Sequence, residues 1–213
     1  MKSVLLILLG IIIAIASSRL EELREFFTGQ ISSCKRTQLH PWHDLDPGKD
    51  APAIVEAFME ISRGSRTKYE IDKKTGLIRV DRVLPEGFGY PANYGFIPKT
   101  YYLDGDPLDI LVVSDSDFEP GSLVTARVVG IMKMKDQGDQ DDKILAVLVG
   151  EKKYENVTKV EELPINEIKE FFLTYKKSEG KTVVVEEIGD AEAAYKAINQ
   201  SFVWYEEKFS ISS

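Results

Sequence analysis

The chain has 213 residues and a hydrophobic content of 43%, enough for one domain of ordinary size, an extension, and a sizeable core. Its formal net charge of -8 argues against general nucleic-acid binding, which needs a basic footprint, and means that an anionic ligand would require local positive charge or bound metal. A single cysteine, Cys34, excludes an internal disulfide.

The N-terminus opens with Met1-Lys2, continues as an apolar run from Val4 to Ala16 broken by Gly10, and places Ala14-Ile15-Ala16 before Ser17-Ser18. This is the pattern of a secretory signal peptide. An uncleaved anchor that associates residues 4–16 with a membrane is the alternative, although a span needs about 20 apolar residues. Residues 17–39 read as a connector. A short amphipathic helix carries Leu20, Leu23 and Phe26-Phe27, and the breakers Gly29, Pro41, Pro47 and Gly48 follow. Residues 40–213 form the expected functional domain.

From Ala53 the pattern predicts short strands over Ile54–Ile61, Lys68–Ile71, Leu77–Val83, Leu108–Val113, Leu123–Met134 and Ile144–Val149. Glycine- and Asp-rich turns separate them, among them Lys74-Thr75-Gly76, Asp104-Gly105 and Gln137-Gly138. Strands of this length and spacing predict a closed or partly closed barrel. The period then changes. Ile165, Ile168, Phe171, Phe172 and Tyr175 fall at helical spacing after Pro164. Asp190 is the expected N-cap of a second helix carrying Ala194, Tyr195, Ile198, Phe202 and Tyr205 on one face. Two C-terminal helices packed on a small barrel make an α+β fold.

Two segments concentrate acid. Asp104-Gly105-Asp106-Pro107-Leu108-Asp109 sets three carboxylates just before an apolar strand. Like charges this close repel, and a hard divalent ion resolves the conflict. A solvated turn opening a strand accounts for the segment equally well. Asp136-Gln137-Gly138-Asp139-Gln140-Asp141-Asp142-Lys143 is the second, and it too reads as a solvated hairpin tip when taken alone. If both turns meet at one rim, they would hold more than one metal, a recurring device for displacement at phosphorus. Cations and phenols that suit phosphate oxygens are scattered over other elements: Lys68, Arg82, Tyr90, Tyr94, Tyr175 and Lys176. Other chemistries fare worse. The only histidines, His40 and His43, lie close together near the N-terminal connector, so a Ser-His-Asp triad is hard to build. Gly180-Lys181-Thr182 lacks the strand and first glycine of a P-loop.

The heptad Asp104-Gly105-Asp106-Pro107-Leu108-Asp109-Ile110 resembles the signature of family I soluble inorganic pyrophosphatases. The flanking order strengthens the resemblance: Glu60-Ile61, Lys68-Tyr69-Glu70, Asp81-Arg82, Tyr90-Pro91, Asn93-Tyr94-Gly95, Asp136 through Lys143, and Tyr175-Lys176. It spans roughly residues 40–208, and His40-Pro41-Trp42-His43 also resembles the start of family members. Ser62 departs from a proline usual after Glu60-Ile61, and Glu86 to Gly89 departs from a more apolar segment; neither removes a chemical group.

The resemblance implies a five-stranded OB-like β-barrel with two main C-terminal helices, here preceded by an apolar N-terminal segment. It implies magnesium-dependent hydrolysis of pyrophosphate to two phosphates, with several Mg²⁺ ions per active site. Asp104, Asp109 and Asp141 match the principal metal ligands, and Asp136 and Glu60 match further carboxylates around the metals. Asp106 matches the group that orients or deprotonates the attacking water. Lys68, Arg82, Tyr94, Lys143, Tyr175 and Lys176 match the phosphate-holding groups, with Glu70 and Tyr90 as supporting positions. It also implies a cytoplasmic homo-oligomer, against which residues 1–16 stand out. Two rival readings are a cation-binding module without catalysis, and an OB-type single-strand binder that stacks bases on Phe88, Tyr90, Tyr94, Phe96, Tyr101 and Tyr102.

Overall fold

The computed structural model describes residues 19–21 and 39–209. The readings of residues 1–16 as signal or anchor, and of most of the connector, lie outside the described residues. The chain divides into two units, residues 1–38 and 39–213. Among the described residues no helix is long and apolar enough to cross a membrane.

The second unit begins with strands β1 (Ile54–Ile61), β2 (Thr67–Ile71), β3 (Ile78–Val83), β4 (Asn93–Phe96) and β5 (Asp109–Val113). It continues with β6 (Leu123–Asp136), β7 (Asp139–Gln140), β8 (Lys143–Leu148), α1 (Ile165–Thr174), β9 (Val183–Asp190) and α2 (Ala191–Phe209). β1 pairs with β4, β4 with β5, β5 with β8, β8 with β6, and β6 back with β1, which closes a ring of five strands. β5 and β8 run parallel; the other pairings in the ring are antiparallel. β7 and β9 extend the long strand β6, while β2 and β3 form a separate hairpin.

The apolar strands β5 and β8 follow from burial on both faces. Leu111, Val113, Leu145 and Val147 enter a core cluster with Phe171 and Phe172 of α1. The alternate residues Ile110, Val112, Ile144 and Ala146 enter a second cluster with Ala194 and Ile198 of α2. The period-2 alternation of a strand thus feeds two helices from one sheet. Asp190 Oδ1 accepts the Ala193 N–H at 2.9 Å and caps α2 as expected.

The six expected strands are present, Ile54–Ile61 with the expected bounds and the other five with shifted ends, and β4, β7 and β9 stand in addition to them. β4 is short and carries Gly95, whose lack of a side chain lets β1 pass closely: a Cβ there would lie 1.9 Å from the Phe58 carbonyl oxygen. A strand that needs close backbone approach gives no apolar alternation to read. β9 alternates poorly, as Val-Val-Val-Glu-Glu-Ile, because it pairs on one side only, with β6.

Candidate active site

The parallel register of β5 and β8 sets Asp109 directly beside Lys143. Lys143 is only 1% exposed, and its ammonium donates to Asp109 Oδ2 at 2.5 Å and to Asp141. Tyr94, on β4, donates its hydroxyl to the same Asp109 oxygen at 2.5 Å. Burial works against the charge on Lys143, and the two carboxylates override it and push its pKa up. Burial raises Asp109 to about 6; Lys143 opposes that rise and Asp141 adds to it.

The two acidic turns meet here. The first is held by Tyr102 N–H on the Asp106 carbonyl at 2.7 Å and by Asp106 N–H on Asp104 Oδ1 at 3.0 Å. The second is a two-residue hairpin, with Asp136 paired to Asp139 and both central residues, Gln137 and Gly138, at positive φ. It is both a hairpin tip and a wall of the site. Asp104, Asp106, Asp109, Asp136, Asp139 and Asp141 line one cavity of about 320 Å³ with Glu60 and Glu70. Three ammonium groups line it too: Lys68, Lys73 and Lys176. Tyr90, Tyr94 and Tyr175 stand on the same wall.

The charges are already paired among themselves. Lys176 pairs with Asp136, Lys68 with Glu70, and Lys73 with Asp106. Acid remains in excess, with eight lining carboxylates against those three cations. Asp104, at the open edge, is raised to about 7 by desolvation, with Asp109 and Asp141 adding to the rise. Glu60 is 6% exposed and accepts the Ile71 N–H at 2.7 Å. Burial, then Asp109, pushes Glu60 up to about 8. Burial would raise Asp141 as well, but Lys143 holds it below its ordinary value. Burial keeps the phenols of Tyr90, Tyr94 and Tyr175 protonated far above their usual range, so they are donors.

The chemistry of these residues suits a divalent cation, although among the described residues no three carboxylates are yet placed closely enough to hold one. Oxygen ligands, excess negative charge, and carboxyls driven toward protonation for want of a counter-charge are the conditions a hard ion relieves. Asp136 supplies a further sign: its Oδ1 is buried with no hydrogen-bond partner.

Two expected residues stand off the cavity wall. Lys143 lies behind Asp109 and Asp141. Arg82, the cross-strand neighbour of Lys68, pairs instead with Asp81 and Glu179. Residues not singled out from sequence also matter. Lys73 lines the cavity, but its Asp-Lys-Lys-Thr-Gly setting is that of any solvated turn. Asp142 is buried and takes the Tyr102 hydroxyl at 2.5 Å, the Met134 N–H at 3.1 Å and Gln140 Nε2 at 2.6 Å, which pins the second acidic turn. Of the rings read as stacking platforms, Tyr90, Tyr94, Phe96 and Tyr102 are buried, which removes the geometric basis for that rival.

The family model for inorganic pyrophosphatase matches residues 57–206. The chain is 47% identical over 182 residues to soluble inorganic pyrophosphatase 2 of Chlamydomonas reinhardtii, covering 84% of this chain and 95% of the relative. It is also 47% identical over 182 residues to soluble inorganic pyrophosphatase 1 of Arabidopsis thaliana, covering 83% and 86%. The crystal structure of inorganic pyrophosphatase from Thermus thermophilus superposes with a TM-score of 0.75 at 37% identity, covering 79% of this chain and 99% of that one. With the acidic cavity at the heart of the matched region, the chain belongs to the inorganic pyrophosphatase family.

Proposed function

We propose that this chain hydrolyses inorganic pyrophosphate to two phosphates by direct attack of water, with Mg²⁺ as its divalent cation, and that its five-stranded ring is the family's OB-like barrel. The observation that carries the reading is the excess of eight carboxylates over three ammonium groups around one cavity, with those ammonium groups and three phenols of a kind that suits phosphate oxygens on the same walls. Asp104, Asp109 and Asp141 would hold the metal, with Asp136 and Glu60 as further carboxylates. When bound, the ions supply Lewis-acid charge to phosphoryl oxygens and lower the pKa of the attacking water.

The chain's own groups do the rest. Asp106, half open to the cavity, orients the water or takes its proton. Lys68, Lys176, Tyr94 and Tyr175 hold phosphate oxygens from the cavity wall, and Arg82 and Lys143 act from just behind it. Glu70 and Tyr90 support them: Glu70 by pairing with Lys68, Tyr90 by its ring contact with Tyr94 at 5.4 Å. Direct attack by water needs no covalent intermediate, which suits a lining that among the described residues contains no Ser, Cys or His.

Phosphate release from pyrophosphate, measured with and without Mg²⁺ beside Asp106→Ala, tests the proposal. Expected is release that requires the metal and falls about 100-fold or more in the variant. A folded, unmutated protein that releases no phosphate at any Mg²⁺ concentration would withdraw it. Full activity in Asp106→Ala would withdraw the role of Asp106.

A further inference from the structure

Arg82 stands in a row of six side chains whose charges alternate. Glu70 pairs with Lys68, Lys68 lies 3.3 Å from Asp81, and Asp81 accepts from Arg82 Nη1 at 2.9 Å. Arg82 Nε then lies 3.0 Å from Glu179, and Glu179 lies 3.0 Å from Lys181. The row runs from the cavity wall, along the β2–β3 hairpin, to the connection between α1 and β9.

Glu179 closes this row from a different part of the chain. It ends the 3-10 turn Lys177–Glu179, and its N–H donates to the Lys176 carbonyl at 3.0 Å. One residue therefore ties Arg82 on β3 to the segment Tyr175–Lys176. Arg82 Nε and Nη2 are both buried and neither has a hydrogen-bond partner, so Nε meets Glu179 as an ion pair only. With Nη1 hydrogen-bonded to Asp81 and Nε held beside Glu179 by charge alone, Nε and Nη2 are the donors left for an incoming oxygen. A guanidinium is a rigid planar fork, so fixing two of its nitrogens fixes the direction of the third.

We propose that Glu179 is a positioning residue for the phosphate-bearing substrate, which orients the Arg82 fork and couples it to Tyr175 and Lys176. The inference rests on reading Arg82 as a phosphate-holding group. Side chains ordered before binding lose less freedom on binding, so losing Glu179 weakens substrate capture rather than the chemical step.

The test compares Glu179→Gln, Arg82→Ala and the double variant as full chains at saturating Mg²⁺, with kcat and KM for pyrophosphate and urea unfolding for each. Glu179→Gln keeps the shape and removes the charge. It should raise KM about tenfold with kcat within about twofold. In the Arg82→Ala background it should add nothing, since the two residues act as one unit. Glu179→Asp should recover part of the loss. An unchanged KM in Glu179→Gln, beside a raised KM in Arg82→Ala, overturns the role of Glu179 and leaves that of Arg82. A full further loss in the double variant also overturns it, because Glu179 would then act independently of Arg82. An unchanged KM in Arg82→Ala withdraws the phosphate-holding role of Arg82, and the proposal for Glu179 with it.

Discussion

Raising the pH of the metal-free protein should destabilise it, and Glu60 sets the size of the effect. Its carboxyl titrates at about 8 in the folded chain because burial and Asp109 penalise its charge, against an ordinary value of 4.5. Between those values the folded protein holds a proton that the unfolded chain has released. The unfolded state thus binds fewer protons, and stability falls as pH rises. Each pH unit in that window withdraws about 1.4 kcal/mol, so the step from pH 6.5 to pH 8 removes up to about 2 kcal/mol. The window starts at 6.5 because His43, lowered by burial and by His40, contributes with the opposite sign only below that value. Asp109 titrates at about 6 and has largely lost its proton by then. Asp104, at about 7, acts in the same direction with less weight because it is open to solvent. The assay is urea unfolding in chelator across this range. Glu60→Gln should flatten the slope. Added Mg²⁺ should reverse it, because metal and proton compete for the same oxygens. A chelated protein equally or more stable at the upper pH would refute the reasoning, as would a slope in Glu60→Gln as steep as that of the unmutated protein.

Lys143→Met should cost about 3–5 kcal/mol without metal, because it leaves Asp109 and Asp141 buried side by side with no counter-charge. Mg²⁺ should restore much of that loss, and an equal loss in chelator and in Mg²⁺ would show that Lys143 acts through packing. Gly95→Ala should cost about 3 kcal/mol, since its Cβ would meet the Phe58 carbonyl oxygen at 1.9 Å and push β4 away from β1. Faster amide exchange confined to those two strands would locate the damage; unchanged exchange and stability would show that the backbone yields freely there.

The acidic heptad is legible in the sequence through its resemblance to a family signature and the order of its flanking motifs, since three carboxylates in six residues taken alone read equally well as a solvated turn. Asp106, Asp109 and Asp141 line the cavity, and Tyr94 and Tyr175 stand with them. Lys73 and Glu179 are not legible. Each sits in a turn whose local composition is that of ordinary solvated loops, and only its distant partner, Asp106 or Arg82, gives it meaning. Asp142 is overshadowed by its acidic neighbours, although it faces Tyr102 and the backbone rather than the cavity.

Features set by neighbours a few residues apart are written in the chain itself. The continuous apolar runs of β5 and β8, the helical period of α1 and α2, the Asp190 cap and the Gln137-Gly138 turn all belong to that class. Which strands pair, and which charges meet, emerges only on folding. The ring closes because β1 pairs with both β4 and β6. β5 lies parallel to β8, which brings Lys143 to Asp109 across 34 residues, and the same fold brings Lys176 to Asp136 across 40. The physical reason is that burying backbone and charge requires partners, and the chain supplies those partners only when distant segments are folded against one another.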